Sequence, residues 1–121
     1  MNNRYKSENS LAERKKESER IRYKYPERVP VICERHENSK ELVNIDKKKY
    51  LVPSDLTITQ FMMVIRKRLK VLPESQALYL FVNGKIPPST ALLNRVYDEN
   101  RDEDGFLYIN YASENTFGSL S

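Results

Sequence analysis

The chain has 121 residues and a mass of 14.3 kDa, one domain's worth of polypeptide, with 39% apolar and 31% charged residues and a net charge of +4. At this size folding buries about two-thirds of the surface of the unfolded chain, enough for one core. Gly84, Gly105 and Gly118 are the only glycines and stand far apart, which excludes a glycine-rich phosphate loop. Cys33 and His36 are the only cysteine and histidine, which excludes an intrachain disulfide, a Cys/His zinc site and most triad chemistry. The charge is uneven: residues 1–50 hold 14 basic and 9 acidic side chains, residues 51–121 hold 7 and 8. A positive first half suits nucleic acid, an anionic membrane or an acidic protein partner.

Residues 1–9 read as loose and polar. Ser10-Leu11-Ala12-Glu13 has the spacing of a capping box and opens a charged helix that Pro26 stops. Its apolar positions are few, so it lies on a core rather than forming one. Residues 29–34 are β-rich, and Pro30 among them needs a position where no ladder amide is required. A polar connection follows, then a second strand over 49–52, ended by Pro53. Thr57 and Gln60 form another capping box, ahead of apolar residues at 58, 61, 62, 65 and 69, the stripe of a buried helix. Residues 77–82 read as a strand closed by Asn83-Gly84, Leu92 to Tyr97 as a short helix, and Phe106 to Tyr111 as the last strand. The tail from Ala112 is polar apart from Phe117 and Leu120. One long helix crossing a four-stranded mixed sheet is the β-grasp plan, an α+β fold, with the extra helix free to cap the second face.

Glu17 to Ile21, Arg28-Val29-Pro30-Val31-Ile32-Cys33-Glu34, Asp46 to Pro53, Phe61 to Arg68, Phe81-Val82-Asn83-Gly84, Asp102 to Tyr108 and Glu114-Asn115-Thr116-Phe117-Gly118 together carry a resemblance. In order and nearly end to end, the chain resembles the autophagy ubiquitin-like modifiers of the GABA-receptor-associated protein and microtubule light-chain type. The resemblance implies a ubiquitin core behind two N-terminal helices. It divides the chain into a helical extension over 1–27, a core over 28–111, a flexible conjugation tail over 112–118 and a removable propeptide over 119–121. Two departures stand out: Leu11 takes the place of the usual aromatic residue, and the 36–45 loop differs in sequence.

The resemblance gives Gly118 the role of cleavage and conjugation site and Phe117 that of protease recognition. A cysteine protease would remove Ser119-Leu120-Ser121. Activating and conjugating enzymes would then pass the Gly118 carboxylate through thioesters to the amine of phosphatidylethanolamine. Glycine suits these transfers because no Cβ obstructs its carbonyl. Strand parity puts Pro30 and Ile32 on one side, with Lys49 and Leu51, and Phe106 and Tyr108, sharing sides of their own strands. The resemblance makes Pro30, Ile32, Leu51 and Phe106, with Glu17, Ile21 and Lys49, a pocket for an aromatic side chain. The alternative is that the N-terminal helix simply buries them. A second pocket, for an aliphatic side chain, would use Tyr50, Val52, Pro53, Leu56, Phe61 and Val64, although Phe61 also sits on the core stripe. Between the pockets, the edge at 49–52 would accept a W/F/Y-x-x-L/I/V segment as an added strand. Arg28, Lys47, Lys48 and Arg68 would draw the acidic residues ahead of it.

No cofactor, metal or catalytic residue is expected, so the chain reads as a modifier rather than an enzyme. It reads as cytoplasmic; the resemblance implies that it reaches autophagosome membranes and the lysosome or vacuole once lipidated, with tubulin as a further candidate partner. The rival class is a non-conjugated basic adaptor for nucleic acid or cytoskeleton, built on Lys47-Lys48-Lys49 and Arg66-Lys67-Arg68. Interspersed acids argue against nucleic acid. Catalysis through Cys33 is disfavoured by its place in mid-strand.

Overall fold

The computed structural model describes residues 4–70, 72–73, 75–114 and 116. Its elements are α1 (Arg4–Glu8), α2 (Leu11–Lys24), β1 (Arg28–Arg35), β2 (Lys49–Pro53), α3 (Ile58–Leu69), β3 (Tyr79–Phe81), α4 (Leu93–Asn100) and β4 (Leu107–Ala112). Both capping boxes form. Ser10 accepts from the Glu13 amide and Glu13 returns to the Ser10 amide; Thr57 and Gln60 do the same. The segment read as loose contains a short helix, α1. The last strand starts one residue later than read and ends one later, and β3 covers only the middle of residues 77–82.

The strands lie in the order β2-β1-β4-β3. The two central strands, β1 and β4, are parallel, with Val31 beside Leu107, and antiparallel neighbours flank them. β1 is buried from Val29 to Glu34 without alternation because both of its faces are covered. Val29, Val31 and Cys33 join Phe61, Ile65 and Leu69 of α3 in the main core. On the opposite face Ile32 and Phe106 pack with Ile21 of α2, and Tyr5 and Tyr25 lean on them. Cys33 N donates to Lys48 O and His36 N to Tyr111 O, so odd β1 amides face β2 and even ones face β4. The missing amide of Pro30 therefore falls on the β4 side, one residue before that pairing starts at Val31. That is how a central strand accommodates a proline.

The N-terminal helices are fastened to the turn that leads into β4. Asp104 is 1% exposed, and its carboxylate takes Arg14 Nη1 at 2.6 Å, the Phe106 amide at 2.8 Å and the Tyr108 hydroxyl. The Asp104 carbonyl accepts from the Ser18 hydroxyl. Lys6 of α1 donates to Asp102 at 2.5 Å and lies 4.7 Å from the centre of the Tyr108 ring. Burial alone would raise the Asp102 carboxyl pKa. Lys6, the Asp104 amide and Arg14 more than offset this and hold it below the ordinary value. Gly105 turns the chain here at φ +91°, and an added Cβ would overlap the Ser18 hydroxyl.

The body does not stop at residue 111. β4 runs to Ala112, and Ser113 and Thr116 are buried, so the first part of the expected tail belongs to the folded domain. Phe117, Gly118 and the 119–121 propeptide lie outside the described residues. Gly105→Ala should cost about 1–3 kcal/mol through the left-handed backbone and the Ser18 contact. Urea unfolding measures this, and an unchanged midpoint would contradict the tight helix–turn packing.

Candidate functional site

β2 is an edge strand. Tyr50 and Val52 exchange hydrogen bonds with β1, whereas the backbone groups of Lys49 and Leu51 point away from it, by the register Val31 to Tyr50. Such an edge is a template for a further strand. Arg28 reaches over it, and its Nη1 donates to the Leu51 carbonyl at 3.0 Å. An incoming strand that uses this carbonyl must displace the guanidinium.

On the α2 side, Leu51 sits opposite Pro30 and Lys49 opposite Ile32. The structure brings the expected aromatic-pocket residues together but closes much of the floor. Pro30, Ile32, Phe106 and Ile21 are buried, and Tyr5 stands edge-on to Phe106 with ring centres 5.5 Å apart. The thin apolar stripe of α2 suggested poor cover; Tyr5 and Tyr25 add what α2 lacks. A pocket of about 400 Å³ remains open, lined by Arg20, Ile21, Arg28, Lys47, Lys49 and Leu51. At its mouth Glu17 takes Lys49 Nζ at 2.9 Å and Arg20 Nη2 at 2.6 Å. The Lys49 hydrogen bond, then Arg20, holds the Glu17 carboxyl below its ordinary pKa against the effect of burial. Arg20 was missed in the sequence; its place three residues after Glu17 on one helix is the signal that could have found it.

On the α3 side the expected aliphatic pocket divides. Tyr50, Val52 and Phe61 belong to the main core, with Tyr50 edge-on to Phe61 at 5.7 Å. Phe61 is thus a core residue, the alternative its helix stripe allowed. Pro53 and Leu56 are half-buried and Val64 is 42% exposed, so these three stay outside the core. Lys47 Nζ lies 5.0 Å from the centre of the Tyr50 ring. Burial pushes the Tyr50 phenol above its ordinary pKa, and its hydroxyl is buried without a hydrogen-bond partner.

Two members of the basic rim are paired with acids. Arg68 forks onto Asp46 at 2.8 and 3.1 Å. Lys48 lies 3.3 Å from Glu34, whose carboxylate also accepts the Tyr5 amide, so Lys48 serves α1 rather than the pocket by Leu51. Arg28 and Lys47 line that pocket. Cys33 is fully buried, and burial, with Glu34, drives its thiol far above the ordinary pKa, the state of an inert structural cysteine. His36 is buried too; its Nδ1 accepts the Asn38 amide at 3.1 Å, and burial lowers its pKa. Among the described residues no group of three His, Cys, Asp or Glu side chains could hold a metal ion.

A mixed four-stranded sheet crossed by one long helix, with two helices ahead of it on the other face, defines a ubiquitin-like protein. The family model described as "Autophagy protein Atg8 ubiquitin like" matches residues 13–118. Autophagy-related protein 8 of Penicillium rubens is 55% identical over 120 residues, 99% of this chain and 100% of that protein. Its counterpart in Mycosarcoma maydis is 54% identical with the same coverage. The crystal structure of Trypanosoma brucei ATG8 superposes with a TM-score of 0.89 at 38% identity, covering 94% of this chain and 97% of that one. The chain belongs to the Atg8 family of ubiquitin-like autophagy proteins.

The Glu17 bridge has a defined pH dependence. Because the folded pKa is lowered, the stabilisation is present above the ordinary glutamate value of about 4.3 and is lost as pH falls through the folded value. Side-chain NMR titration should show Glu17 protonating below that value in the wild type and moving upward in Lys49→Met. A Glu17 titration indifferent to Lys49 would contradict the closed rim.

Proposed function

We propose that this chain is a ubiquitin-like modifier of autophagy that is processed after Gly118 and joined through that glycine to phosphatidylethanolamine. A cysteine protease hydrolyses the Gly118–Ser119 bond and releases Ser119-Leu120-Ser121. The freed carboxylate is adenylated at the expense of ATP, passed between enzyme thiols as a thioester, and transferred to the lipid amine with release of the last thiol. The family match ends on residue 118, which supports this glycine as the functional terminus. Phe117 is the apolar residue that the protease reads. Two acyl chains, at roughly 0.8 kcal/mol per buried CH₂, give strong membrane attachment. Among the described residues no helix is long and apolar enough to cross a membrane.

Once attached, the chain recruits cargo receptors and adaptors carrying W/F/Y-x-x-L/I/V segments. The observation that carries this reading is the edge position of β2 with the pocket at Leu51 beside it. An extended segment adding to the edge sends alternate side chains to the two sides of the sheet. Arg28, Lys47 and Lys49 complement acidic residues in that segment. The protein works in the cytoplasm, on autophagosome membranes and in the lysosome or vacuole. Tubulin is a further candidate partner through the basic first half.

Leu51→Ala should weaken binding of a W-x-x-L peptide by about 1–3 kcal/mol without unfolding the domain, by calorimetric titration. Unchanged affinity would overturn the docking site. For the C-terminus, the full chain, the chain ending at Gly118 and Gly118→Ala are compared in cells by membrane fractionation and intact mass. The truncated chain should reach membranes without the processing protease, and Gly118→Ala should stay soluble at full mass. Equal membrane recovery of wild type and Gly118→Ala, with the last three residues retained on both, would overturn the modifier reading.

A further inference from the structure

A pocket of about 300 Å³ lies where α1 meets the end of β1 and the loop that follows. Three acids and three bases line it, Glu8, Glu34 and Glu37 against Arg4, Arg35 and Lys48. The charges balance, so the pocket suits a molecule that carries both signs better than a simple anion or cation.

Four of these groups form an alternating row. Arg4 Nε lies 3.7 Å from Glu8, Glu8 lies 3.9 Å from Lys48 Nζ, and Lys48 Nζ lies 3.3 Å from Glu34. The row bends back on itself, because the amide of Tyr5, next to Arg4 in the chain, donates to Glu34 Oε2 at 3.2 Å. Its inner end is Glu34, whose side chain is 8% exposed. Oε2 serves both Tyr5 and Lys48, whereas Oε1 is buried without a hydrogen-bond partner. A buried carboxylate oxygen left in that state is costly and calls for an N–H or O–H donor. The outer end is Arg4, whose side chain is 62% exposed. Its contact with Glu8 is long and solvated and contributes little, so the guanidinium fork remains open to a stronger anion.

A molecule that completes the row donates at Glu34 and brings an anion to Arg4. Depth sets the order: a cationic tip goes in, and the anion stays at the mouth with the rest of the molecule outside. A primary ammonium on a short arm from a phosphate diester has this order. We propose that the pocket binds the phosphoethanolamine head group non-covalently, with its ammonium on Glu34 and its phosphate on Arg4. The binding is separate from the joining at Gly118 and does not use it. A primary ammonium offers three N–H donors, while the quaternary nitrogen of a choline head offers none. The orphan oxygen of Glu34 therefore makes the pocket selective between the two heads.

The test titrates the full chain with glycerophosphoethanolamine, glycerophosphocholine and inorganic phosphate, following the backbone amides of Asn44 and Lys48 by NMR. Saturable shifts are expected with the ethanolamine head, with the choline head weaker by about tenfold or more. Glu34→Gln keeps an acceptor for Tyr5 and should weaken binding by a similar factor of about ten. Arg4→Ala, at an exposed side chain, should weaken it by about two- to fivefold. Equal binding of the two heads, inorganic phosphate binding as tightly as the ethanolamine head, or unchanged affinity in both variants overturns the proposal. If Glu34→Gln fails to fold, the comparison of heads on the wild type and on Arg4→Ala decides. Phosphatidylcholine vesicles with and without phosphatidylethanolamine then separate the sources. Retention that depends on phosphatidylethanolamine assigns the head to a bilayer, and binding of the soluble head alone assigns it to a free metabolite. No ATP or enzyme is present, so no bond forms at Gly118, and failure here leaves the conjugation reading standing.

Discussion

Asp104 sets the shape of everything on the second face of the sheet. A carboxylate 1% exposed is tolerated only when its oxygens are satisfied, and here Arg14, Tyr108 and the Phe106 amide satisfy them. Arg14 comes from α2, Tyr108 from β4, and the backbone at Asp104 holds Ser18 as well. One residue therefore fixes the height and direction of α2 over the sheet. Gly105 allows this contact, since its left-handed backbone carries no side chain at the point where Ser18 arrives. Lys6 on Asp102 extends the same fastening to α1.

The edge of β2 is what this fastening leaves uncovered. With α2 pinned through Arg14 and Ser18, Ile21 falls on Ile32 and Phe106, and Tyr5 closes the far side. The covering stops short of Leu51, where Glu17, Arg20 and Lys49 make a charged rim around the remaining pocket. On the opposite face α3 draws Tyr50, Val52 and Phe61 into the core and leaves Val64 outside. The edge strand thus has the pocket at Leu51 on one side and the face covered by α3 on the other. Arg28 rests on the Leu51 carbonyl, one of the backbone groups that this edge turns outward.

The parts of the fold governed by local rules were legible. Ser10 with Glu13 and Thr57 with Gln60 announce their helices because capping chemistry has fixed spacing. The stripe at 58, 61, 65 and 69 marks the face of α3 that is buried. α1 was not legible, because five residues, Arg-Tyr-Lys-Ser-Glu, carry no period and draw their order from Glu34, Asp102 and Phe106, far away in sequence. Without α1 the floor formed by Ile32 and Phe106 looked open. Lys48 was grouped with its basic neighbours since sequence adjacency does not reveal that it turns to Glu34. The packing of Ser113 and Thr116 escaped for a related reason: apolar content is a poor guide where burial is carried by hydroxyls that bond one another.

Native-state hydrogen exchange on Asp104→Asn, which keeps the side-chain shape and removes the charge opposite Arg14, addresses the fastening itself. Breaking one partner of a buried ion pair typically costs about 3–5 kcal/mol. The amides of α2 should therefore exchange roughly a hundred- to several-thousandfold faster, while those of β1, β4 and α3 keep their protection. Unaltered protection of α2 in Asp104→Asn would contradict the claim that this carboxylate holds the helices over the sheet and so defines the site.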